Sequence, residues 1–274
     1  MSKLADLHLH TNFSDGTFTP EQLVKVTKNV GLACIAITDH DCISGIEPAI
    51  READNDLEVI PGIELTAEID SAEIHILGYF IDHNSNSLEQ ELDKINLIRR
   101  KRVYGILEKL KSLGMDLKPE DVFEISGLGS VGRLHIARAM QKRGFISNIY
   151  EAFSKYIGDK GPAYVGKFSL TPQDAIKLIL EVKGIPVLAH PHIYNSDELI
   201  PSFVKAGLRG IEVYYPEYSE VVIRYYAQIA DKYNLLVTGG SDCHGDAKPN
   251  IAVGKISIPY ELVERLKKEK YGEK

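Results

Sequence analysis

The sequence has few cysteines and no long apolar run. Its 274 residues include three cysteines, Cys34, Cys42 and Cys243, and none of them forms a Cys-x-x-Cys pair. An odd number without paired spacing argues against a disulfide framework and indicates a reducing compartment, so we expect a cytoplasmic protein. The chain begins in a predicted strand rather than in a signal segment, and no run approaches the roughly 18–20 apolar residues of a membrane helix, so we expect no membrane association.

The sequence also lacks an excess of positive charge. It has 39 acidic and 32 basic residues, which give a net charge of −7. This balance argues against binding of long duplex nucleic acid, although a local basic cluster would suffice for a short phosphorylated substrate. Apolar residues make up 44% of the chain, enough for the core of one large domain or two smaller ones. No internal repeat and no low-complexity segment interrupts it.

Strands and helices alternate at both ends of the chain. The spacing of apolar residues predicts strands over 4–9, 33–38, 58–60, 63–66, 73–80, 186–189, 210–214, 235–238 and 255–258, with a turn at Pro61-Gly62. Helices are predicted over 20–30, 45–54, 172–184, 197–206 and 219–233 and at the C-terminus. Repeated strand–helix units predict a mostly parallel sheet, closed as a barrel or doubly wound, with its chemistry at the carboxyl ends of the strands.

A helical stretch without a convincing strand separates the two alternating parts. Helices are predicted over 88–113, 119–125, 133–142 and 149–156. This stretch carries the densest basic cluster of the chain, at residues 99–102 and again at 133–143. We therefore predict an α/β domain made of residues 1–98 and 167–274, with a small all-helical domain, residues 99–166, inserted into it.

The first strand carries two histidines with a spacing that suits a metal ion. His8 and His10 lie two residues apart, so their imidazoles point to the same side of the strand. Asp15 follows in a Ser-Asp-Gly turn that can bring its carboxylate back over the same point. Taken alone, this motif is equally compatible with two solvent-facing histidines and with a metal site.

The ends of the later predicted strands carry other histidines and carboxylates. These residues are Asp39, His40, Glu64, His75, His190, Asp242 and His244. At least six of the nine histidines are thus expected on one rim of the predicted sheet, each with a carboxylate nearby. An isolated histidine is more often a buried residue with a backbone partner, but six of them together favour a multinuclear metal centre.

The motifs around these residues resemble those of the PHP family, the polymerase and histidinol phosphatase phosphoesterases. The matching segments are Asp6-Leu7-His8-Leu9-His10-Thr11, Ser14-Asp15-Gly16, Thr38-Asp39-His40, Pro61-Gly62-Ile63-Glu64, Glu73-Ile74-His75-Ile76-Leu77-Gly78, Ala189-His190-Pro191 and Gly240-Ser241-Asp242-Cys243-His244. The resemblance implies a distorted (β/α)₇ barrel with three divalent metal ions, Mn²⁺, Fe²⁺ or Zn²⁺, on its rim. The absence of thiolate ligands suits manganese or iron slightly better than a structural zinc site.

The resemblance also implies a ligand set for each metal ion. One ion would take His8, His10, Glu64 and Asp242. A second would share Glu64 and add His75 and His190. The third would take Asp15, His40 and His244. Asp39 is expected to orient His40 from outside the ligand set.

Hydrolysis of a phosphate ester is the chemistry that such a centre implies. Metal ions bind the anionic oxygens of the ester and lower the pKa of a bridging water, so that a metal-activated hydroxide attacks phosphorus. Asp15, His40, Glu64 and His244 are therefore the predicted catalytic residues.

The insertion indicates the substrate. Gly132-Arg133-Leu134-His135-Ile136-Ala137-Arg138 and Gly161-Pro162-Ala163-Tyr164-Val165 resemble motifs of a PHP branch that acts on nucleotides. The implied substrates are 5′-mononucleotides, 3′,5′-bisphosphates or the 5′ ends of short RNA. Arg133 and His135 are expected to hold a phosphate, with Arg99 and Arg102 as further candidates on one helical face. His192 is a candidate from its position alone.

Two departures from the branch keep different activities open. Leu134 stands where the branch usually has proline, and His192-Ile193 stands where it commonly has Gly-Arg. The missing arginine removes one phosphate contact, so the substrate could instead be a different phosphorylated metabolite such as histidinol phosphate. Hydrolysis of a carbon–nitrogen bond, and nucleotide sensing without turnover, also stay open. The sequence gives no prediction of the oligomeric state.

Overall fold

A computed structural model describes residues 3–69, 72–127, 129–166, 170–194 and 197–272 of the chain. Within these ranges, eight strands form one sheet in the order β7-β6-β5-β4-β3-β2-β1-β8. The strands are β1 (Leu4–Leu9), β2 (Cys34–Ile37), β3 (Glu58–Ile69), β4 (Ala72–Tyr79), β5 (Ile185–Leu188), β6 (Gly210–Tyr214), β7 (Leu236–Gly239) and β8 (Ile258–Pro259).

Helices cover the outside of the sheet and form the insertion. They are α1 (Pro20–Asn29), α2 (Ile46–Ala53), α3 (Asn86–Ser112), α4 (Pro119–Ser126), α5 (Arg133–Lys142), α6 (Ile149–Ala152), α7 (Pro172–Glu181), α8 (Pro191–Tyr194), α9 (Ile200–Ala206), α10 (Glu220–Tyr233) and α11 (Tyr260–Tyr271). After α6 the chain widens into a π-helical turn over Phe153–Ile157. Among the helices of the described ranges, none combines the length and the apolarity needed to cross a membrane.

The sheet curves into a barrel that closes at the carboxyl ends of its strands. The segment after β7 runs beside the end of β1, where Leu9 bridges Cys243 in parallel. The Asp242 amide donates to the His8 carbonyl at 2.8 Å, and the His10 amide donates to the Cys243 carbonyl at 3.1 Å. The predicted α/β barrel is therefore confirmed. Four of the seven described strand pairs are parallel, and the pairs on both sides of β4 are antiparallel.

The predicted turn at Pro61-Gly62 is wrong, because β3 runs straight through it. The first part of β3 pairs with β2, where Pro61 lies opposite Ile37, and the part from Gly62 onward pairs with β4. A Cβ atom on Gly62 would lie 2.7 Å from the Ile37 carbonyl oxygen. The glycine is therefore explained by a close approach of two strands rather than by a turn.

The structure corrects three smaller expectations about secondary structure. The last strand is Ile258–Pro259 rather than 255–258, because the Lys255 amide closes a turn on the Ala252 carbonyl. The short helix α8, directly after His190, was not predicted. The predicted helix over 149–156 keeps its α-helical hydrogen bonds only to Ala152.

The insertion has a hydrophobic core of its own, and α3 joins it to the barrel. Leu88 and Leu92, near the start of α3, pack into the barrel core. Val103, Ile106 and Leu110, in its second half, belong to the separate core of the insertion. The boundary predicted at residue 99 thus falls in the middle of one continuous helix. The separate core supports the predicted division into domains, which stays a prediction.

A second contact joins the insertion to the loop after β1. The Ser130 amide donates to the Phe13 carbonyl at 2.9 Å, and a Cβ atom on Gly129 would lie 2.2 Å from the same oxygen. Phe13 is two residues before Asp15, so this contact fixes the loop that carries the Asp15 carboxylate.

We expect Gly129→Ala to lower the free energy of unfolding by about 1–3 kcal/mol, since the added methyl group overlaps fixed backbone atoms. Chemical denaturation measures the change. Gly105→Ala is the matched control: its Cβ would meet Val165 at an ordinary 3.4 Å, and alanine suits the interior of α3 better than glycine. Equal stability of the Gly129 variant and the wild type would show that the two segments are not tightly packed.

Candidate metal centre

The structure brings all nine predicted ligands together at the carboxyl end of the barrel. They are His8, His10, Asp15, His40, Glu64, His75, His190, Asp242 and His244. His8, Glu64 and His75 lie within β1, β3 and β4, and the other six follow the ends of β1, β2, β5 and β7.

The Glu64 carboxylate lies at the centre of the cluster and is completely buried. Its Oε2 atom is 3.0 Å from His40 Nδ1 and 3.3 Å from the Nε2 atoms of His8 and His10. One carboxylate oxygen therefore faces three imidazoles.

The other oxygen of Glu64 faces two more imidazoles. Oε1 lies 2.9 Å from His75 Nδ1 and 3.1 Å from His190 Nε2. With five histidines around it, Glu64 has the geometry of a ligand shared between ions.

Asp15 faces the opposite side of the cluster. Its Oδ1 atom is 3.2 Å from His244 Nε2, and its Oδ2 atom is 3.9 Å from His40 Nε2. Together with His10, these residues offer four ligand atoms within 4.8 Å of one another. The Ser-Asp-Gly turn therefore brings a carboxylate back to the histidines of β1, as the sequence predicts.

Asp242 presents one oxygen to the cluster and the other to two supporting groups. Oδ1 lies 3.1 Å from His10 Nε2 and 3.5 Å from His8 Nε2. Oδ2 accepts hydrogen bonds from Tyr215 Oη and Lys248 Nζ, both at 2.9 Å. The carboxylate is thus held with one face toward the histidines.

The compact groups of ligand atoms differ in part from the three predicted sets. They are His10, Asp15, His40 and His244; His8, His10 and Asp242; His8, Glu64 and His190; and His40, Glu64 and His75. His75 and His190, predicted to share one ion, fall into separate groups, although both face the Oε1 atom of Glu64. The assignment of each residue to a particular ion stays a prediction.

Unpaired polar atoms provide a test of whether these residues fit metal ions. Within the described part of the chain, six ligand-type atoms of the cluster are buried without a hydrogen-bond partner. They are His8 Nε2, His10 Nε2, Asp15 Oδ1, His40 Nδ1, Glu64 Oε2 and His190 Nδ1. An unpaired buried polar atom is costly, so six in one place fit a site built for cations.

The electrostatics of the cluster favour ionised carboxylates. Burial raises the pKa of Glu64, but the imidazoles of His40, His75 and His8 outweigh burial and hold this pKa well below its usual range. Burial lowers the pKa of His10, but contacts with Asp242 and Glu64 raise it to about 9. At His10, a metal ion would therefore displace a proton from an imidazole that the carboxylates have made more basic.

Glu212 supports the cluster from behind, and the sequence analysis missed it. Its carboxylate is completely buried and lies 3.0 Å from His8 Nδ1, while its other oxygen accepts from the His190 amide at 2.8 Å. A carboxylate on Nδ1 directs the Nε2 lone pair of His8 toward the cluster. The available signal was a single acidic residue inside the apolar strand β6.

Asp39 does not have the predicted contact with His40. Its oxygens accept from the Thr11 amide at 2.7 Å, the Thr11 hydroxyl at 2.6 Å and the Ser14 hydroxyl at 2.6 Å. Adjacent residues in extended chain point in opposite directions, which explains why Asp39 turns away from His40. Asp39 therefore fixes the turn that carries Asp15.

Two cavities, of about 310 and 330 Å³, open onto the cluster. Ile193, Tyr194 and Tyr215 line the first, and Leu134, Ile149 and Phe153 line the second. The two cavities share five wall residues, namely His40, Glu73, His75, Arg133 and Lys248. The cluster is thus accessible from two sides.

Arg133 reaches both cavities, as expected of a residue that holds a phosphate. Its guanidinium donates to Glu73 Oε2 at 2.9 Å and to Asp159 Oδ1 at 2.5 Å. These contacts fix its orientation at the junction of the two cavities.

The other predicted phosphate-binding arginines are engaged by the protein itself. Arg99 is buried and donates to Asp41, Thr66 and the Val131 carbonyl, so it holds α3 against the barrel. The Nε atom of Arg102 donates to the Val165 carbonyl at 2.9 Å, within the insertion.

His135 and His192, the two histidines predicted to contact substrate, are held in place by nearby residues of the protein. His135 is buried, accepts from the Gly132 amide at 3.0 Å and thus caps α5; burial lowers its pKa to about 4. The exposed ring of His192 packs edge-on against Tyr218 and Tyr226, outside the described walls of both cavities. Arg99 also lines the second cavity, while His135 and His192 lie outside the described walls of both cavities. Phosphate binding by these residues stays a prediction.

A ring of histidines and carboxylates at the carboxyl end of an α/β barrel is the architecture of a metal-dependent hydrolase. The chain belongs to the PHP domain family, whose model matches residues 6–230. The family implies divalent metal ions as cofactors. The predicted family is thereby confirmed.

The chain is similar over nearly its whole length to proteins of this family. It is 32% identical to the 5′-3′ exoribonuclease Rnm of Escherichia coli, over 93% of this chain and 89% of the relative. It is 29% identical to the 3′,5′-nucleoside bisphosphate phosphatase of Chromobacterium violaceum, over 91% and 90%. A solved Bifidobacterium adolescentis structure, described as a presumed metal-dependent phosphoesterase, superposes with a TM-score of 0.88 and 29% identity over 96% and 94% of the two chains.

Proposed function

We propose that the protein is a metal-dependent hydrolase of phosphate esters that releases phosphate from nucleotides or trims the 5′ ends of short RNA. The observation that carries this proposal is the cluster of six unpaired buried ligand atoms beneath cavities whose walls hold Arg133 and Lys248. Cations on the walls and a metal-type cluster beneath them suit a ligand with anionic oxygens.

We propose that three divalent ions bind here. Asp15, His40 and His244 would hold one ion, with His10 close by. His8, His10 and Asp242 would hold another, and Glu64 would be shared with the ion near His75 and His190. The ions, when bound, supply charge stabilisation for the ester oxygens and an acidified water as the nucleophile.

The protein's own residues fix the orientation of this site. Glu212 sets the ring of His8, and Tyr215 holds Asp242 with one oxygen facing the histidines. Asp39 ties the turn of Asp15 through Thr11. Such preorganisation places ligands and substrate without a reorganisation cost during the reaction.

The names of the relatives support a nucleotide or RNA substrate, since one is an exoribonuclease and another a nucleoside bisphosphate phosphatase. Arg133 favours a phosphate ester over an amide, because a guanidinium suits phosphate oxygens. We also propose a cytoplasmic location, which suits three buried cysteines that all have free thiols.

A phosphate-release screen tests the function. Protein loaded with Mn²⁺ should release phosphate from at least one of nucleoside 5′-monophosphates, 3′,5′-bisphosphates and 5′-phosphorylated dinucleotides. We expect at least about 10²-fold faster release than from chelator-stripped protein, since metal ions contribute several kcal/mol to such reactions.

The same screen tests competing functions. Reloading of the stripped protein controls for damage, and histidinol phosphate and cyclic amides are included as substrates. Turnover of the amides alone, or tight nucleotide binding without phosphate release, would contradict the proposed function.

A further inference from the structure

Lys248 stands at the junction of the two cavities, yet nothing in the predicted site includes it. It follows the short 3₁₀ turn Gly245–Ala247, and its amide donates back to the Gly245 carbonyl at 3.0 Å. This turn brings its ammonium group to within 2.9 Å of Asp242 Oδ2. The side chain lines both cavities.

The need to orient Asp242 does not by itself explain why a lysine occupies position 248. The Tyr215 hydroxyl already donates to the same oxygen at 2.9 Å, from a side chain that is buried. The Lys248 side chain keeps 36% of its surface exposed, toward the cavities that it lines. A buried tyrosine is thus the fixed support, and the lysine is the accessible cation.

Lys248 also has unused hydrogen-bond donors. An ammonium group has three N–H bonds, and the described contacts of Lys248 Nζ use one acceptor, Asp242 Oδ2. Arg99 donates to three protein acceptors, and Arg133 is held between Glu73 and Asp159, so several contacts fix each guanidinium group. Of these three cations, Lys248 is the one for which the described contacts give a single protein acceptor.

We propose that Lys248 binds the reacting phosphoryl group of the substrate, with its ammonium contacting a phosphoryl oxygen beside Asp242. The inference rests on the proposed function, because it assumes a phosphoryl ligand over the cluster. It is carried by the position of Lys248 Nζ, next to a cluster carboxylate and in the walls of both cavities. A cation there stabilises negative charge on the ester oxygens, which grows as the leaving oxygen departs.

Lys248→Met removes the charge and keeps the length of the side chain, and Lys248→Arg restores the charge. Lys255→Met is the matched control, since Lys255 is exposed in the same C-terminal segment and donates to the Asn250 carbonyl. Three quantities are measured for the metal-loaded variants: metal content, the dissociation constant of inorganic phosphate by calorimetry, and kcat/KM with a nucleoside monophosphate and a bisphosphate.

We expect Lys248→Met to keep the wild-type metal content, to bind phosphate about tenfold more weakly and to lose about 10²-fold in kcat/KM with both substrates. Lys248→Arg should recover part of both losses, and Lys255→Met should match the wild type. Unchanged phosphate binding, or loss of metal that accounts for the whole defect, would overturn the proposal in favour of a support for Asp242. A defect confined to the bisphosphate would overturn it in favour of a contact with the second phosphate.

Failure of the proposed function gives a different pattern. If the wild-type protein binds phosphate but releases none from any ester, the proposed phosphatase function is wrong. If Lys248→Met then still binds phosphate more weakly than the wild type, the contact of Lys248 with phosphate is supported all the same.

Discussion

Glu64→Gln will lower kcat/KM by about 10³-fold or more and will reduce the number of bound metal ions. Glu64 is buried among five imidazoles, with Oε2 facing His8, His10 and His40 and Oε1 facing His75 and His190. Glutamine keeps the shape but removes the charge that neighbouring ions would share. Metal-assisted charge stabilisation contributes several kcal/mol, which corresponds to a factor of this size.

Metal analysis after gel filtration, together with phosphate release, measures both effects. Glu47→Gln is the matched control, because Glu47 also pairs with a histidine, His83, at 2.7 Å, but on the surface away from the cluster. A Glu64→Gln variant with a full metal complement and wild-type turnover would show that Glu64 is not a shared ligand.

The second large effect concerns Asp15. Asp15→Asn is expected to remove one ion while the ion near His8, His10 and Asp242 stays bound, and to lower kcat/KM by about 10²-fold. Asp15 faces His244 at 3.2 Å and His40 at 3.9 Å, whereas Asp242 faces His8 and His10 on another side. Loss of one carboxylate should therefore empty one site.

Metal stoichiometry is the decisive measurement for Asp15→Asn. The exposed Asp246, two residues after His244, provides the control Asp246→Asn with the same change of charge nearby. Simultaneous loss of all ions would mean that the cluster binds metal as one unit rather than as separable sites.

The rim of candidate ligands was predictable because it depends on local features. His8, His10 and Asp15 are close in sequence, and the other ligands lie in or just after predicted strands. Parallel strands in a closed sheet bring their carboxyl ends to one edge. Residue type and strand position thus placed nine residues together without any knowledge of their distances.

The surroundings of the rim were not predictable in the same way. Glu212 reaches His8 across 204 residues of sequence, and Lys248 and Tyr215 meet at Asp242 from different loops. No pattern of charged or apolar residues in the sequence predicts which of these distant side chains come into contact. Arg99 is a further example, because the sequence does not reveal that this helical arginine pairs with the buried Asp41.

The sequence by itself determined the barrel class, the helical insertion, the family and the residues that form the metal-type cluster. Strand–helix alternation and short motifs are properties of neighbouring residues, so they can be recognised without the three-dimensional structure. The tertiary structure alone decided that His75 and His190 meet at one oxygen of Glu64, which cations line the two cavities, and that Asp39 supports the turn of Asp15 rather than His40. Those outcomes depend on which distant side chains come into contact when the sheet closes into a barrel. A hydrogen bond or an ion pair forms only at short distance, and the closed barrel determines which side chains reach that distance.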